Sequence, residues 1–112
     1  YSGLYDWKSA YDEFVTAIDM DPNEARAWEK CGEVLLNLQR LDEAESYLKK
    51  ALELDPNIAD TFVDFGFLSL QRGQPDEAMS YFSRALKLQP NHARAIDGRI
   101  QVKVMKTKQI RV

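Results

Sequence analysis

The sequence predicts an all-α fold in which six helices stack as a superhelix of antiparallel pairs. The nine-residue segment ALELDPNIA, residues 51–59, occurs in related form at residues 17–25 and 85–93. Its prolines, Pro22, Pro56 and Pro90, follow one another at intervals of 34 residues. Between the prolines, apolar residues recur at spacings of three and four, as on one face of an α-helix. A fixed period of this size is typical of stacked helical pairs.

The first helix is predicted over residues 7–20, with Asp6 as its N-cap. Asp21-Pro22 ends it, because proline disfavours helical geometry in the residue before it. The next two helices are expected from about 24 to 37 and from 42 to 54, and a second pair from about 58 to 71 and from 75 to 88. The expected N-caps after the three prolines are Asn23, Asn57 and Asn91.

The last helix is expected to begin near His92 and to carry an apolar stripe of Ile96, Ile100 and Val104. This stripe is expected to pack on the preceding helix. Residues 92–112 hold 6 basic residues and one acid, whereas residues 1–91 hold 9 basic and 17 acidic residues. The basic helix therefore has three candidate roles: a cap, a packing surface for a further repeat, or a contact for an anionic partner such as RNA.

These residues resemble the tetratricopeptide repeat family, whose pattern combines a large residue, Leu-Gly, Ala, an aromatic residue, Ala and Pro. The first full repeat supplies Trp28, Cys31, Gly32, Ala44, Leu48, Ala51 and Pro56. The second supplies Phe62, Phe65, Gly66, Ala78, Phe82, Ala85 and Pro90. The resemblance implies one domain over residues 1–112: the second helix of a truncated repeat (1–22), two repeats (23–56 and 57–90) and a capping or half-repeat helix (91–112). Because the chain opens with Tyr1, we expect it to be a fragment of a longer protein.

The family resemblance implies a protein–protein interaction scaffold that binds a peptide or helical segment in a concave groove lined by the first helix of each pair. The matching positions here are Arg26, Glu29, Lys30, Glu33, Asn37, Asp60, Val63, Asp64, Phe67, Gln71, Arg94, Asp97 and Gln101. Glu29 with Glu33, and Asp60 with Asp64, are one helical turn apart, so the groove is expected to be acidic with an apolar centre. Such a groove favours a basic or amphipathic segment. The alternative is an ordinary solvated charged face.

One subgroup of the family holds the acidic tail of heat-shock chaperones with a clamp of Lys, Asn and Arg. At the clamp positions this chain has Glu29, Glu33 and Asp64, which carry the wrong charge. A register shifted by one repeat gives Lys30, Asp60 and Asp64, which also fails. We therefore expect no chaperone-tail binding. Two other functions stay open: an accessory domain that recruits substrate to a larger enzyme, such as a glycosyltransferase, and a self-association module that uses exposed repeat ends.

Catalysis has little support in the sequence. His92, the one histidine, is expected in a loop or in a first helical turn, and Cys31, the one cysteine, in the core. No phosphate loop or metal-ligand spacing accompanies them, so we expect neither enzyme activity nor a cofactor or metal. The basic helix lacks aromatic residues that stack on bases, which makes nucleic acid an unlikely partner. No membrane span or signal peptide is visible, and a single cysteine is compatible with a cytoplasmic location.

Overall fold

The computed structural model describes the backbone of residues 2–110 and the side chains of residues 7–108. This part of the chain forms six helices and no strand, which confirms the all-α prediction. The helices are α1 (Ser2–Met20), α2 (Ala25–Asn37), α3 (Leu41–Leu54), α4 (Ala59–Gln71), α5 (Pro75–Leu88) and α6 (Ala93–Ile110). None of them combines the length and apolar character that a bilayer span requires. Tyr1 lies outside the described residues.

The helix starts differ from the sequence predictions at several places. Helix α1 already includes residue 6, so the N-cap role of Asp6 is wrong. The N-cap residues of α2 and α4 are Glu24 and Ile58, one position after the asparagines. The side chain of Glu24 accepts a hydrogen bond from the backbone N–H of Arg26 at 3.3 Å.

The aspartates before the prolines close the turns that precede α2 and α4. The side chain of Asp21 accepts a hydrogen bond from the N–H of Asn23 at 3.2 Å, and Asp55 accepts one from Asn57 at 2.9 Å. A short acidic side chain readily bonds the backbone two residues further on, which closes a turn. The backbone N–H groups of Asn23 and Asn57 are therefore donors within their turns, and the predicted role of these two residues as N-caps is wrong.

The chain divides between Asn57 and Ile58 into two compact units. In the first unit α2 packs against both α1 and α3. Gly32 lies at the α2–α3 contact, where an added Cβ would lie 2.6 Å from Cδ2 of Leu48. The buried centre of the α1–α2 contact includes Ile18 and Cys31, and Trp28 packs at its edge. Glycine at position 32 thus permits the close approach that the sequence predicts.

In the second unit α5 lies between α4 and α6. The ring of Phe82 is fully buried between two glycines, one on each neighbouring helix. An added Cβ on Gly66 would lie 2.5 Å from Cε1 of Phe82, and one on Gly98 would overlap the same ring. The sequence predicts the role of Gly66 but not that of Gly98.

The apolar stripe of α6 does not pack on α5 as predicted. Ile96, Ile100 and Val104 are 43%, 54% and 49% exposed. The buried face of the helix carries Gly98 and Val102 instead. The Phe82 ring admits only a glycine at the crossing point, so α6 turns Gly98 inward. Residues two positions apart on a helix point about 200° apart, so Ile96 and Ile100 face away from α5.

Candidate functional site

The predicted groove residues of the first unit lie on one helix, α2, but differ in accessibility. Arg26 and Asn37 are exposed, whereas Lys30 and Glu33 are half-buried. Nζ of Lys30 lies 3.5 Å from a carboxylate oxygen of Glu33, and Nδ2 of Asn37 donates to the carbonyl of Glu33 at 3.0 Å. This part of the face therefore carries both signs of charge.

Glu29 is the exception on α2, because its side chain is fully buried. Neither carboxylate oxygen has a hydrogen-bond partner within the described residues. The nearest cation, Nζ of Lys30, lies 3.9 Å away and is itself 40% exposed. A buried carboxylate without hydrogen bonds costs free energy of folding. Glu29 contacts no solvent here, so it is not the open acidic surface that the sequence predicts.

In the second unit, bases on or just before α6 hold both predicted acids of α4. The guanidinium of Arg94 donates to Oδ1 of Asp64 at 2.8 Å, and the Asp64 side chain is fully buried. Nε2 of His92 bonds Oδ1 of Asp60. The expected acidic pair is thus compensated by His92, just before α6, and Arg94, on α6, whereas the sequence predicts an open acidic surface.

His92 lies just before α6, outside the helix, but its side chain is buried. Its Nδ1 accepts a hydrogen bond from the N–H of Ala95 at 3.4 Å, in the first turn of α6. Because Nδ1 is the acceptor, Nε2 is the nitrogen that carries a proton and donates it to Asp60. The His92 side chain therefore caps α6 and links it to α4 by a hydrogen bond.

A cleft of about 280 Å³ lies between α4 and α6. Its lining consists of Phe67, Leu70, Gln71, Gln101 and Met105. The Phe67 ring meets Phe82 edge-on, with 5.0 Å between ring centroids. The cleft therefore has an apolar floor fixed against the core and two exposed amide side chains at its rim.

Two further residues of the predicted groove, Val63 and Asp97, lie outside the lining of this cleft. Val63 is fully buried and belongs to the core rather than to an open groove. Asp97 is exposed, and its carboxylate accepts a hydrogen bond from Nε2 of Gln101 at 3.0 Å. The sequence prediction omits Met105, although Met105 follows the predicted residues Asn37 and Gln71 at the same 34-residue interval. The 34-residue interval alone is therefore sufficient to predict Met105 as a residue of this face.

The one cysteine is poorly suited to nucleophilic chemistry. Cys31 is fully buried, and that burial raises the pKa of its thiol to about 11. The thiolate is the reactive form of cysteine, so a thiol with this pKa is nearly all protonated at neutral pH. Cys31 therefore acts as a small core residue, in agreement with the sequence interpretation.

The repeated helical pairs define a helical-repeat protein, and the family follows from comparison with known proteins. The family model described as tetratricopeptide repeat matches residues 23–91, more than half of the chain. The chain belongs to the tetratricopeptide repeat family. A comparison with curated protein sequences finds no match.

Solved structures of low sequence identity share the fold. The first tetratricopeptide domain of human RPAP3 matches with a TM-score of 0.83 and 19% identity, over 99% of this chain and 87% of that one. The second domain of human RPAP3, solved with the HSP70 peptide SGPTIEEVD, matches at 0.75 and 23% identity, over 91% and 88%. An O-GlcNAc transferase mutant of Thermobaculum terrenum matches at 0.81 and 21% identity, over 88% of this chain and 19% of that one.

Proposed function

We propose that this chain is a non-catalytic protein-interaction module that holds a peptide segment of a partner in the cleft between α4 and α6. The observation that carries the proposal is the composition of that cleft. Phe67 and Met105 supply an apolar floor, and Gln71 and Gln101 flank it. A volume of about 280 Å³ accommodates one large apolar side chain and the backbone beside it.

The two glutamines suit recognition of a peptide backbone. Each primary amide offers two N–H donors and a carbonyl acceptor, which match the acceptor and donor of a peptide group. Gln101 uses one N–H for Asp97, which orients its amide beside the cleft. Gln71 is exposed on the facing helix. An apolar anchor between two amides gives affinity from burial and orientation from hydrogen bonds.

The charges near the cleft favour a segment with a basic residue next to its apolar anchor. Asp97 is exposed, whereas Asp60 and Asp64 are held by His92 and Arg94. A single exposed acid beside an apolar cleft selects a flanking cation more than a strongly basic run. The proposed ligand is therefore an amphipathic segment rather than a polybasic one.

An acidic tail such as the HSP70 peptide bound by the human RPAP3 domain is a poor ligand under this proposal. Asp97 places an exposed carboxylate beside the cleft, where it hydrogen-bonds Gln101 of the lining. Opposed like charges weaken association. We expect the peptide SGPTIEEVD to bind no more tightly than a scrambled peptide of the same composition.

The test uses a phage-displayed library of random dodecapeptides selected on the full chain. Selected peptides are expected to carry a large apolar residue beside Lys or Arg and to shift the NMR amide signals of Phe67, Gln71 and Met105. Met105→Glu is expected to weaken binding at least about tenfold, since a charge would be buried against Phe67. Lys87→Glu, an exposed charge change on α5, is the matched control. Unchanged affinity in Met105→Glu, or signal shifts confined to other helices, would exclude the cleft as the binding site.

A further inference from the structure

The α4–α6 cleft has a polar rim and an apolar floor, and this division restricts which side chain can enter it. Gln71 and Gln101 are exposed at the rim. Leu70 is buried at the floor, where Phe67 and Met105 are half-buried. A side chain that enters from solvent therefore meets amide groups near its own backbone and apolar groups at its tip.

The cleft lies on a face that stays open where a further helical pair follows in the chain. Gln71 occupies on α4 the position that Met105 occupies on α6, one 34-residue interval earlier. Gln71 is exposed although α5 and α6 both follow it and pack on α4 in the same unit. By the repeat, the side of α6 that carries Met105 is therefore a groove-lining side and not one that a following helix covers.

The two amides at the rim favour an extended ligand over a helical one. In an α-helix the backbone N–H and C=O groups bond one another and offer little to a side-chain amide. In an isolated extended segment the same groups are open to a partner. Gln101 is oriented by its hydrogen bond of 3.0 Å to Asp97, and Gln71 lines the cleft from α4. Amides on both sides of the cleft therefore match a peptide group of an extended chain.

The floor of the cleft favours an aromatic anchor. The Phe67 ring meets Phe82 edge-on at 5.0 Å between centroids, and the guanidinium of Arg94 lies 5.7 Å from its own centroid. These contacts fix the ring before a ligand arrives, and a pair of aromatic rings gains affinity beyond that of the buried area. The thioether of Met105, on the other helix, also interacts favourably with aromatic rings. A ring from the ligand thus has a suitable partner on each helix.

The same floor disfavours a hydroxyl at the tip of the anchor. Among the lining residues that the structure describes, those at the floor are Phe67, Leu70 and Met105, and the sulfur of Met105 is only a weak acceptor. A hydroxyl buried without a hydrogen-bond partner costs free energy of binding. The floor therefore suits phenylalanine better than tyrosine.

Asp97 indicates where a basic residue of the ligand lies. Asp97 is exposed and stands one helical turn before Gln101 on α6. One turn advances a helix by about 5.4 Å. An extended peptide advances about 6.6 Å over two residues and directs both side chains to the same side. A cation two residues from the anchor can therefore reach Asp97 while the anchor lies between Gln71 and Gln101.

We propose that the ligand of this cleft is an extended segment in which a phenylalanine fills the cleft and a Lys or Arg stands two residues away. This inference rests on the peptide-binding function proposed above, to which it adds the conformation, the anchor and the spacing of the ligand. An amphipathic helix with an aliphatic anchor is the alternative occupant. The three added features can each be tested separately.

The test titrates the isotope-labelled full chain with a nonapeptide that carries Phe-Ser-Lys in a background of Gly and Ser, with blocked termini. The NMR signals of Gln71, Gln101 and Met105 are expected to shift. Cyclohexylalanine has the size of phenylalanine without its aromatic ring, and this replacement is expected to raise Kd at least about threefold. Tyrosine is expected to raise Kd at least about fivefold. Transferred NOEs are expected between each α-proton of the bound peptide and the next amide proton, as in an extended chain.

The spacing is tested with a peptide in which Lys directly follows Phe, and its Kd is expected to be about two- to fivefold higher. Asp97→Asn keeps an acceptor for Gln101 but removes the charge. This variant is expected to abolish the preference for one Lys position and to keep the preference for phenylalanine over cyclohexylalanine. Phe67→Leu is expected to do the reverse. Lys87→Glu, whose charge change lies on α5, is the control and is expected to bind like the parent.

The outcomes separate this inference from the proposed function. Equal affinity for phenylalanine and cyclohexylalanine, equal affinity for the two Lys positions, or amide–amide NOEs of a bound helix would each overturn the inference and leave peptide binding at the cleft intact. The same holds if peptides selected from the dodecapeptide library occupy the cleft but the Phe-Ser-Lys peptide does not. If neither set of peptides shifts the signals of the cleft, the inference and the proposed function both fail.

Discussion

The guanidinium of Arg94 donates a hydrogen bond of 2.8 Å to the buried carboxylate of Asp64 and so fastens α6 to α4. The two residues are 30 positions apart, on the two helices that border the α4–α6 cleft. The same guanidinium lies 5.7 Å from the ring centroid of Phe67, on the floor of that cleft. The contact therefore couples the stability of α6 to the shape of the candidate site.

We expect Arg94→Ala to lower the free energy of unfolding by about 1–3 kcal/mol, because it removes a partner from a buried carboxylate. Urea denaturation followed by circular dichroism measures the change. The double variant Arg94→Ala/Asp64→Ala is expected to lose less than the sum of the two single variants. Strictly additive losses would show that the two side chains do not interact. Charge reversal of Asp64 is a poor binding test, since it disrupts this contact as well.

His92 is expected to contribute more to stability than its neighbour Asn91. His92→Ala removes the hydrogen bond to Asp60 and the bond from the N–H of Ala95, and we expect a loss of about 1–2 kcal/mol. Asn91 is exposed, and Asn91→Ala is expected to change stability by less than about 0.5 kcal/mol. Thermal unfolding of the two variants makes the comparison. The opposite ranking would restore Asn91 as the cap of α6.

Replacement of Glu29 by an apolar residue is expected to stabilise the protein. Val63 occupies the equivalent position of the next repeat and is fully buried, so this position accepts valine. Glu29→Val removes a buried carboxylate that lacks hydrogen bonds, and we expect a gain of about 1–3 kcal/mol.

The control for this prediction is Glu33→Val, at a half-buried residue that pairs with Lys30. Glu33→Val is expected to give no increase in the free energy of unfolding. Chemical denaturation of both variants in parallel is sufficient. A loss of stability in Glu29→Val would show that the carboxylate has a favourable interaction in the folded chain.

Cys31 is expected to resist thiol reagents and to weaken the fold at alkaline pH. Burial raises the pKa of its thiol from 9.0 to about 11, so at pH 8 the folded chain holds about a hundredfold less thiolate than the unfolded chain. Labelling with iodoacetamide is therefore expected only after urea is added. Rapid labelling of the folded protein at pH 8 would contradict the burial of Cys31.

The same pKa gives a pH dependence with a defined sign. Between pH 9 and 11 the unfolded chain releases the Cys31 proton while the folded chain keeps it, so stability falls as pH rises. Tyr47 acts in the same direction above pH 10. Its hydrogen bond with Tyr11, and next its burial, raise its pKa to about 12. Cys31→Ala is expected to flatten the decline between pH 9 and 11, as measured by urea midpoints.

Local signals made much of the fold predictable. The 34-residue interval of Pro22, Pro56 and Pro90 sets the number of helical pairs, and each of these three prolines lies just after the end of a helix. The first residues of α2 and α4 were harder to predict. In the structure Asn23 and Asn57 donate their backbone N–H groups to Asp21 and Asp55 and do not cap these helices. The repeat indicates which positions line the candidate site, since Met105 follows Gln71 by one repeat. It does not indicate the charge of the site, because His92 and Arg94 compensate Asp60 and Asp64 only in the folded chain.

The sequence by itself determined the repeat, the helices and the family, because each depends on residues close together in the chain. The tertiary structure decided which face of α6 is buried and which acids are open to a ligand. Helical periodicity favours Ile96 and Ile100 as the inner face, but the Phe82 ring leaves room only for Gly98. The bases at His92 and Arg94 reach Asp60 and Asp64 only once α6 has docked. Contacts of this kind join residues about one repeat apart, and no local pattern specifies them.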